Sequence, residues 1–364
     1  MPPESFSARR FSAGILRASS AAILVSAAAC GLPTSVPDSP IIDVRWVVPS
    51  QSARITVDNL LPSTVAISVP DSAAFNIFAS PASVTRTLSQ DCPACVALNG
   101  LTAPKPAFVA NVSASTNLPA EISAASITAG SLQVQVKNGY TFDPLKPNGA
   151  AAPFGYAIIT VSSGTSVIGK DSVNGATTPL PSGSTLTRTI PLSGPITGTL
   201  PVTIAMSLNS PAGQNVLVDA SRAVVVTATP SGLKVANVTV NVNNKTVSST
   251  ASADLTGIDS TIIRRVQSGA LIVALANPFT VAGTLTIKLT PQGGTTITKT
   301  IPLVAGNSTP APIAFTQAEL KSLLGHNVAI AYTGIVNSPT PVNVSPKQVV
   351  VVTTKLDLSL QIGG

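Results

Sequence analysis

Apolar residues recur at every second position through much of this chain. Leu132, Val134 and Val136 alternate with Gln133, Gln135 and Lys137; Val238, Val240 and Val242 alternate with Thr239 and Asn241. Leu285, Ile287 and Leu289 do the same around Thr286 and Lys288. A period of two places alternate side chains on one face of a strand, so each run predicts a strand buried on one side against a second sheet. The run Val349–Val352 is apolar at every position and predicts a central strand covered on both faces. Turn residues separate the runs, as in Pro291-Gln292-Gly293-Gly294, Asn138-Gly139 and Ser210-Pro211-Ala212-Gly213. One segment has helical chemistry instead. In Phe315-Thr316-Gln317-Ala318-Glu319-Leu320, Thr316 and Glu319 have the spacing of a capping box, Phe315 and Leu320 that of a hydrophobic staple, and Gly325 supplies a left-handed stop. These residues predict a short helix over about 317–324, and a second helical turn is expected near 258–266.

The pattern is duplicated. Gly130–Phe142 lines up with Gly269–Val281, and Gly183–Leu192 with Gly294–Leu303. Val202-Thr203-Ile204-Ala205-Met206 matches Val328-Ala329-Ile330-Ala331-Tyr332, and Arg222-Ala223-Val224-Val225-Val226 matches Lys347-Gln348-Val349-Val350-Val351. The order is the same in both copies. A unit of roughly 115–140 residues is too long for a solenoid repeat and is the size of a whole β-sandwich. The expected fold is all-β: tandem immunoglobulin-like β-sandwich domains, copy 1 over 111–245 and copy 2 over 246–364, with one short helix in the second copy. A further β region, 41–110, precedes them; it holds strand-like runs interrupted by Pro49 and Pro62, and the lone Trp46, read as a core or half-buried strand residue.

Composition agrees with this reading. Apolar residues are 44% and aromatics 4%, while charged residues are 10%, against about 25% in an average soluble protein. Val, Ile and Thr fit a pleated surface better than a helix. The formal net charge is +7, but beyond the first 29 residues the cations are scattered and only Arg264 and Arg265 are adjacent. A nucleic-acid binder gathers Lys and Arg on one face, so that class is excluded as a partner.

The start of the chain carries an address. Arg9, Arg10 and Arg17 precede the apolar run Ala21-Ala22-Ile23-Leu24-Val25, which leads into Ser26-Ala27-Ala28-Ala29-Cys30-Gly31. A basic region, an apolar region and small residues mark a secretory signal. The cysteine after the small residues resembles the lipobox of bacterial lipoproteins. That resemblance implies a signal peptide over 1–29, a diacylglycerol on the Cys30 thiol and a Pro- and Ser-rich tether over 30–40, with the membrane as partner through the N-terminal lipid. Gly31, rather than Asp, after the cysteine resembles lipoproteins of the outer membrane. An ordinary signal peptide cut near Ala29 and an uncleaved anchor are the alternatives, although the apolar run falls short of the ~18 residues of a spanning helix. Loss of residues 1–29 leaves a net charge of +5.

Candidate chemistry is sparse. The single histidine, His326, follows the predicted helix stop, where an exposed loop residue is the ordinary outcome. Nucleophilic triads need a tuned, oriented histidine, and zinc sites need three or four ligands. Glutamate occurs only at 4, 121 and 319, and no nucleophile elbow, calcium loop or phosphate loop is present. A carboxylate pair meeting from distant positions stays open. The one reactive motif is Asp91-Cys92-Pro93-Ala94-Cys95. Outside the cytoplasm a Cys92–Cys95 disulfide is the default, with redox, metal-binding and free-thiol roles as alternatives. A redox role would need Cys92 at a helix N-terminus, and the surroundings read as strand and loop.

Leu271-Ile272-Val273-Ala274-Leu275-Ala276-Asn277-Pro278-Phe279 resembles the strand-plus-Asn-Pro signature of the WHy, or type 2 late-embryogenesis-abundant, domain; copy 1 keeps Asn138 and has Gly139 in place of proline. The resemblance implies an immunoglobulin-like sandwich without catalytic residues or cofactors. The functional expectation is a non-enzymatic, lipid-anchored protein of the bacterial cell envelope, on the outer membrane, with a structural, protective or interaction role. Its partner would be an envelope protein or polymer. The alternative is a carrier of lipid or another apolar ligand.

Overall fold

The computed structural model describes residues 41–69 and 72–362, so residues 1–29, Cys30 and the tether 31–40 lie outside the described residues. The chain opens with a long strand, β1 (Ile42–Thr56). The first sandwich follows: β2 (Ala82–Thr87), β3 (Phe108–Thr116), β4 (Ile122–Asn138), β5 (Tyr156–Ser163), β6 (Ser166–Asn174), β7 (Thr185–Pro191), β8 (Gly194–Thr197), β9 (Val202–Ser210) and β10 (Ala223–Val240). Between β2 and β3 lie two short helices, α1 (Leu88–Asp91) and α2 (Pro93–Ala97). The second sandwich contains β11 (Lys245–Asp254), α3 (Ser260–Arg265), β12 (Val266–Asn277), β13 (Ala282–Pro291), β14 (Ile297–Leu303), β15 (Ala311–Phe315), α4 (Gln317–Leu323), β16 (Asn327–Asn337) and β17 (Val349–Ile362). The expected all-β sandwich class is the one the chain adopts.

The two sandwiches share one plan, and all their strand pairs are antiparallel. In the first, one sheet runs β2–β10–β4, with β7 and β8 both on the far edge of β4, and the other runs β3–β9–β5–β6. In the second, the corresponding orders are β1–β17–β12–β15 and β11–β16–β13–β14. The strand that completes the second sandwich is therefore β1, which lies ahead of the first sandwich in the chain. It pairs with the last strand, from Ile42↔Ile362 to Thr56↔Val349, with a register shift between Val48 and Gln51 around Pro49. Proline cannot donate to a ladder, which is why it sits at an irregularity of an edge strand.

Period-two alternation is realised in the core. Leu132, Val134 and Val136 are buried and alternate with exposed Gln133 and Gln135, and in β13 buried Leu285, Ile287 and Leu289 alternate with half-buried Thr286 and exposed Lys288. Trp46 is half-buried on β1 and packs against the core. The predicted helix is α4: the Glu319 amide donates to Thr316 Oγ1 at 3.2 Å, and the Thr316 amide donates to Glu319 Oε2 at 2.7 Å. Gly325, at φ +82°, ends it in the left-handed region. The second expected helical turn is α3, capped by the Asp259 carboxylate.

Two alignments of the copies are corrected. Gly183–Leu192 and Gly294–Leu303 are not equivalent: β7 pairs with β4, whereas β14 pairs with β13, the counterpart of β5. Alternating Thr with apolar residues specifies an edge strand but not which sheet it joins. The match of β10 with β17 is off by one residue. Val226 pairs with Val136 and Val352 with Leu275, so Val226 corresponds to Val352, not Val351. A one-residue slip exchanges the faces of a strand, and Val349–Val352 is apolar on both. Val350 and Val352 are buried while Val349 and Val351 are half-covered, so the run is central in its sheet with one face in the core.

Candidate functional site

Two buried asparagines hold the same position in the two sandwiches. Asn138, the last residue of β4, donates through Nδ2 to the carbonyls of Phe142 and Leu180, both at 2.8 Å, and accepts from the Tyr140 amide at 2.9 Å. Asn277, the last residue of β12, donates to Val281 at 3.1 Å and Val304 at 2.9 Å, and accepts from the Phe279 amide at 3.1 Å. Each amide thus pins the turn that leaves its strand to a second loop. A buried backbone group without a partner is costly, and one asparagine satisfies three here. The residue after each asparagine differs for a local reason. The Gly139 amide donates to Ala223 at 3.0 Å, and a Cβ there would lie 2.3 Å from the Ala223 oxygen. Proline at that point would lose the bond and clash.

Cys92 and Cys95 are joined by a disulfide and are 1% and 0% exposed. The strand-and-loop surroundings expected for them are corrected: Cys92 ends α1 and caps α2, whose first residue is Pro93. Proline suits that place because its missing N–H would have no helical partner. Exposure of the attacking sulfur is what redox chemistry needs, and both sulfurs are sealed. Next to them Arg86 pairs with Asp91 at 2.7 Å, and the Asp91 side chain is 3% exposed.

Sequence reasoning missed the neighbouring group, Lys105. It lies between Pro104 and Pro106, where no periodicity marks burial, yet it is 1% exposed. Its Nζ donates to the Pro106 carbonyl at 2.9 Å and sits 4.8 Å from the Phe108 ring and 5.4 Å from the Phe142 ring. Phe142 stacks on Tyr140, and Phe108 meets both edge-on. Burial lowers the Lys105 amine to about 8. Burial raises the Tyr140 phenol, and the Asp91 charge adds to the effect. The aromatic rings close off the amine, so its altered basicity bears on folding and offers no approach to a substrate.

The remaining titratable groups are spread across both sandwiches. His326 is exposed between α4 and β16, as expected from the glycine stop. Asp171 is bound to Arg188, which holds its carboxyl below the ordinary value. Glu319 is lowered by the Thr316 amide and by Lys299, which donates at 2.9 Å. Asp219, Asp254 and Asp259 accept from Ser221, Thr256 and Thr261, which lowers each. Among the described residues no group of His, Cys, Asp and Glu is arranged to hold a metal, and no helix is long and apolar enough to cross a membrane.

Each sandwich contains an apolar void of about 40 Å³. The first is lined by Leu132, Val161 and Ile204, the second by Leu271, Leu289 and Ile330, so equivalent residues face both. Sites for drug-sized ligands run to about 300–1,000 Å³. The outer face of β11–β16–β13–β14 is instead an open concavity of about 560 Å³, lined by Thr246, Thr284, Thr286 and Thr333 together with two glycines, Ile335 and Asn337. Ser248, Thr333, Thr286 and Thr300 form one cross-strand row across this sheet, and Thr333 and Thr286 of that row line the concavity.

No family model matches the chain, and no curated protein matches it. Among solved structures, a protein inferred to be secreted, from Parabacteroides distasonis ATCC 8503, is 8% identical with a TM-score of 0.32, over 88% of this chain and 100% of its own. A likeness at that level carries neither fold nor function.

Proposed function

We propose that this chain is a lipid-anchored, non-catalytic protein of the bacterial cell envelope, with a structural, protective or interaction role. Cys30 is the lipidated residue, and Gly31 directs the protein to the outer membrane. The observation that carries this reading is how the polar side chains are used. Asn138 and Asn277 brace turns, Asp171, Asp91 and Asp357 pair with arginines, and Asp259, Thr316 and Glu319 cap helices. The disulfide supports an oxidising compartment. The carrier reading would call for a chamber of several hundred Å³, and the interior voids are about 40 Å³ each.

The test is metabolic labelling with a radioactive fatty acid in a bacterium expressing the full chain, alongside Cys30→Ala. The wild type is expected to take up label and to sediment with membranes, and the variant to lose both. Equal labelling of the two proteins would reject the anchor. Native mass spectrometry of the detergent-extracted protein is expected to show only the covalent lipid, and a stoichiometric second apolar ligand would revive the carrier.

A further inference from the structure

We infer that the free edge of β1 pairs with the same edge of a second copy, antiparallel about a two-fold axis at Val44. Along Ile42–Val48, β1 bonds to β17 alone among the described residues, and none of them meets its other row of N–H and C=O groups. An open edge is a template for another strand, and proteins usually guard it with lysine or proline. Most other outer strands carry such guards: Lys170 in β6, Pro191 in β7, Pro195 in β8, Lys245 in β11, Lys299 and Pro302 in β14, and Pro312 in β15, while β2 and β3 carry neither residue. Ile42–Val48 has neither, is rich in β-branched and aromatic residues, and leaves Ile42 55% and Val47 44% exposed.

The two charges on this edge choose the occupant and the register. Asp43 is exposed and has no ion-pair partner among the described residues, while Arg45 projects from the same face and pairs with Asp357. With Val44 opposite its own copy, Asp43 falls opposite Arg45 of the second copy, and Ile42 falls opposite Trp46. Moving the axis to Asp43 sets the two aspartates against each other, and moving it to Arg45 sets the two arginines against each other. Cross-strand pairs of opposite charge stabilise, and like charges oppose. The same residues that repel in the wrong registers attract in this one.

The experiment uses the full chain with Cys30→Ser, exported and purified free of lipid, in sedimentation equilibrium. A dimer is expected. Asp43→Arg and Arg45→Asp, each alone, should raise the dissociation constant about tenfold or more. An equimolar mixture of the two should restore dimers, because both cross-strand pairs are then complementary. Asp43→Arg leaves the Arg45–Asp357 pair intact, so it separates edge pairing from folding, and thermal midpoints of each variant are measured alone. Val44→Cys is expected to cross-link to itself under mild oxidation, and Trp46→Cys is not. A protein that stays monomeric, a dimer indifferent to both charge reversals, or a mixture that fails to re-associate would overturn the inference.

Discussion

Asn138 and Asn277 show how much one amide can hold in a protein with few charges. Their bonds reach the same relative positions, two and four residues ahead, and a loop from elsewhere in the same sandwich. Both side chains are buried, so their partners have no water to turn to. Asn277→Ala strands two carbonyls and one amide at about 1–3 kcal/mol for each group left unmet. The expected loss is about 3–5 kcal/mol, read as a lower urea midpoint with an unchanged slope; a loss under about 1 kcal/mol would show that the turn is held by other contacts. Lys105 poses the opposite case, a polar group whose burial costs stability. Its folded value is about 8, below the usual ~10.4 of a free lysine. Between these values the unfolded chain binds more protons, so the lysine contributes a gain in stability as pH rises through that window. Below pH 8 both states are protonated and the cost of the buried charge is fully present. Lys105→Met is therefore expected to be more stable than the wild type at pH 7, with the difference shrinking between pH 8 and 10.5. Parallel stability profiles for the two proteins would show that the amine does not titrate with folding.

At the level of elements, what the residues disclosed depended on whether local chemistry was unambiguous. α4 was legible because Thr316 and Glu319 name their own bonds, and the strands were legible wherever apolar and polar positions alternated. Thr316→Ala should cost about 1 kcal/mol of stability by removing the cap, whereas Thr316→Ser should be nearly neutral; equal effects would mean that the hydroxyl is not the acceptor. Alternation stopped short of two features. The four valines of β17 carry no polar residue to mark a face, so the register settled one position away from the alignment. The Thr-rich edge strands β7 and β14 look alike but join different sheets, because an edge position is recorded in the sequence and a partner strand is not. Lys105 was hidden for a related reason: its burial depends on Phe108 of β3 and Phe142 of the turn after β4, which no short window along the chain contains together. The helical setting of the disulfide was written locally, in the Thr87 and Gln90 capping box and in Pro93 at the start of α2, and was passed over among the strand-like runs.

At the scale of the molecule, the same plan is built twice with different continuity. The first sandwich takes its first strand, β2, from the residues directly ahead of it, whereas the second takes β1 from the other side of an entire domain. Loop-closure entropy grows only slowly with length, so the intervening sandwich is a tolerable detour once it has folded. Without β1, the second sandwich would lose Ala53 and Ile55, each 2% exposed, and leave β17 as a bare edge lined by Val350 and Val352. Residues 245–362 alone are therefore expected to be unfolded or aggregated. Ile42 and Ile362 are ladder partners, so the end of β17 and the start of β1 lie side by side. A hairpin turn of about two to four residues is enough to join such ends. A permuted chain running 245–362, a short Asn-Gly turn and then 42–57 should fold cooperatively as an isolated domain with β-type circular dichroism. The decisive comparison is between this permutant and 245–362 with the same turn and no β1. If both fold with similar thermal midpoints, β1 is an ornament on a self-sufficient sandwich. If only the permutant folds, the second sandwich depends on a strand that reaches it past the whole of the first.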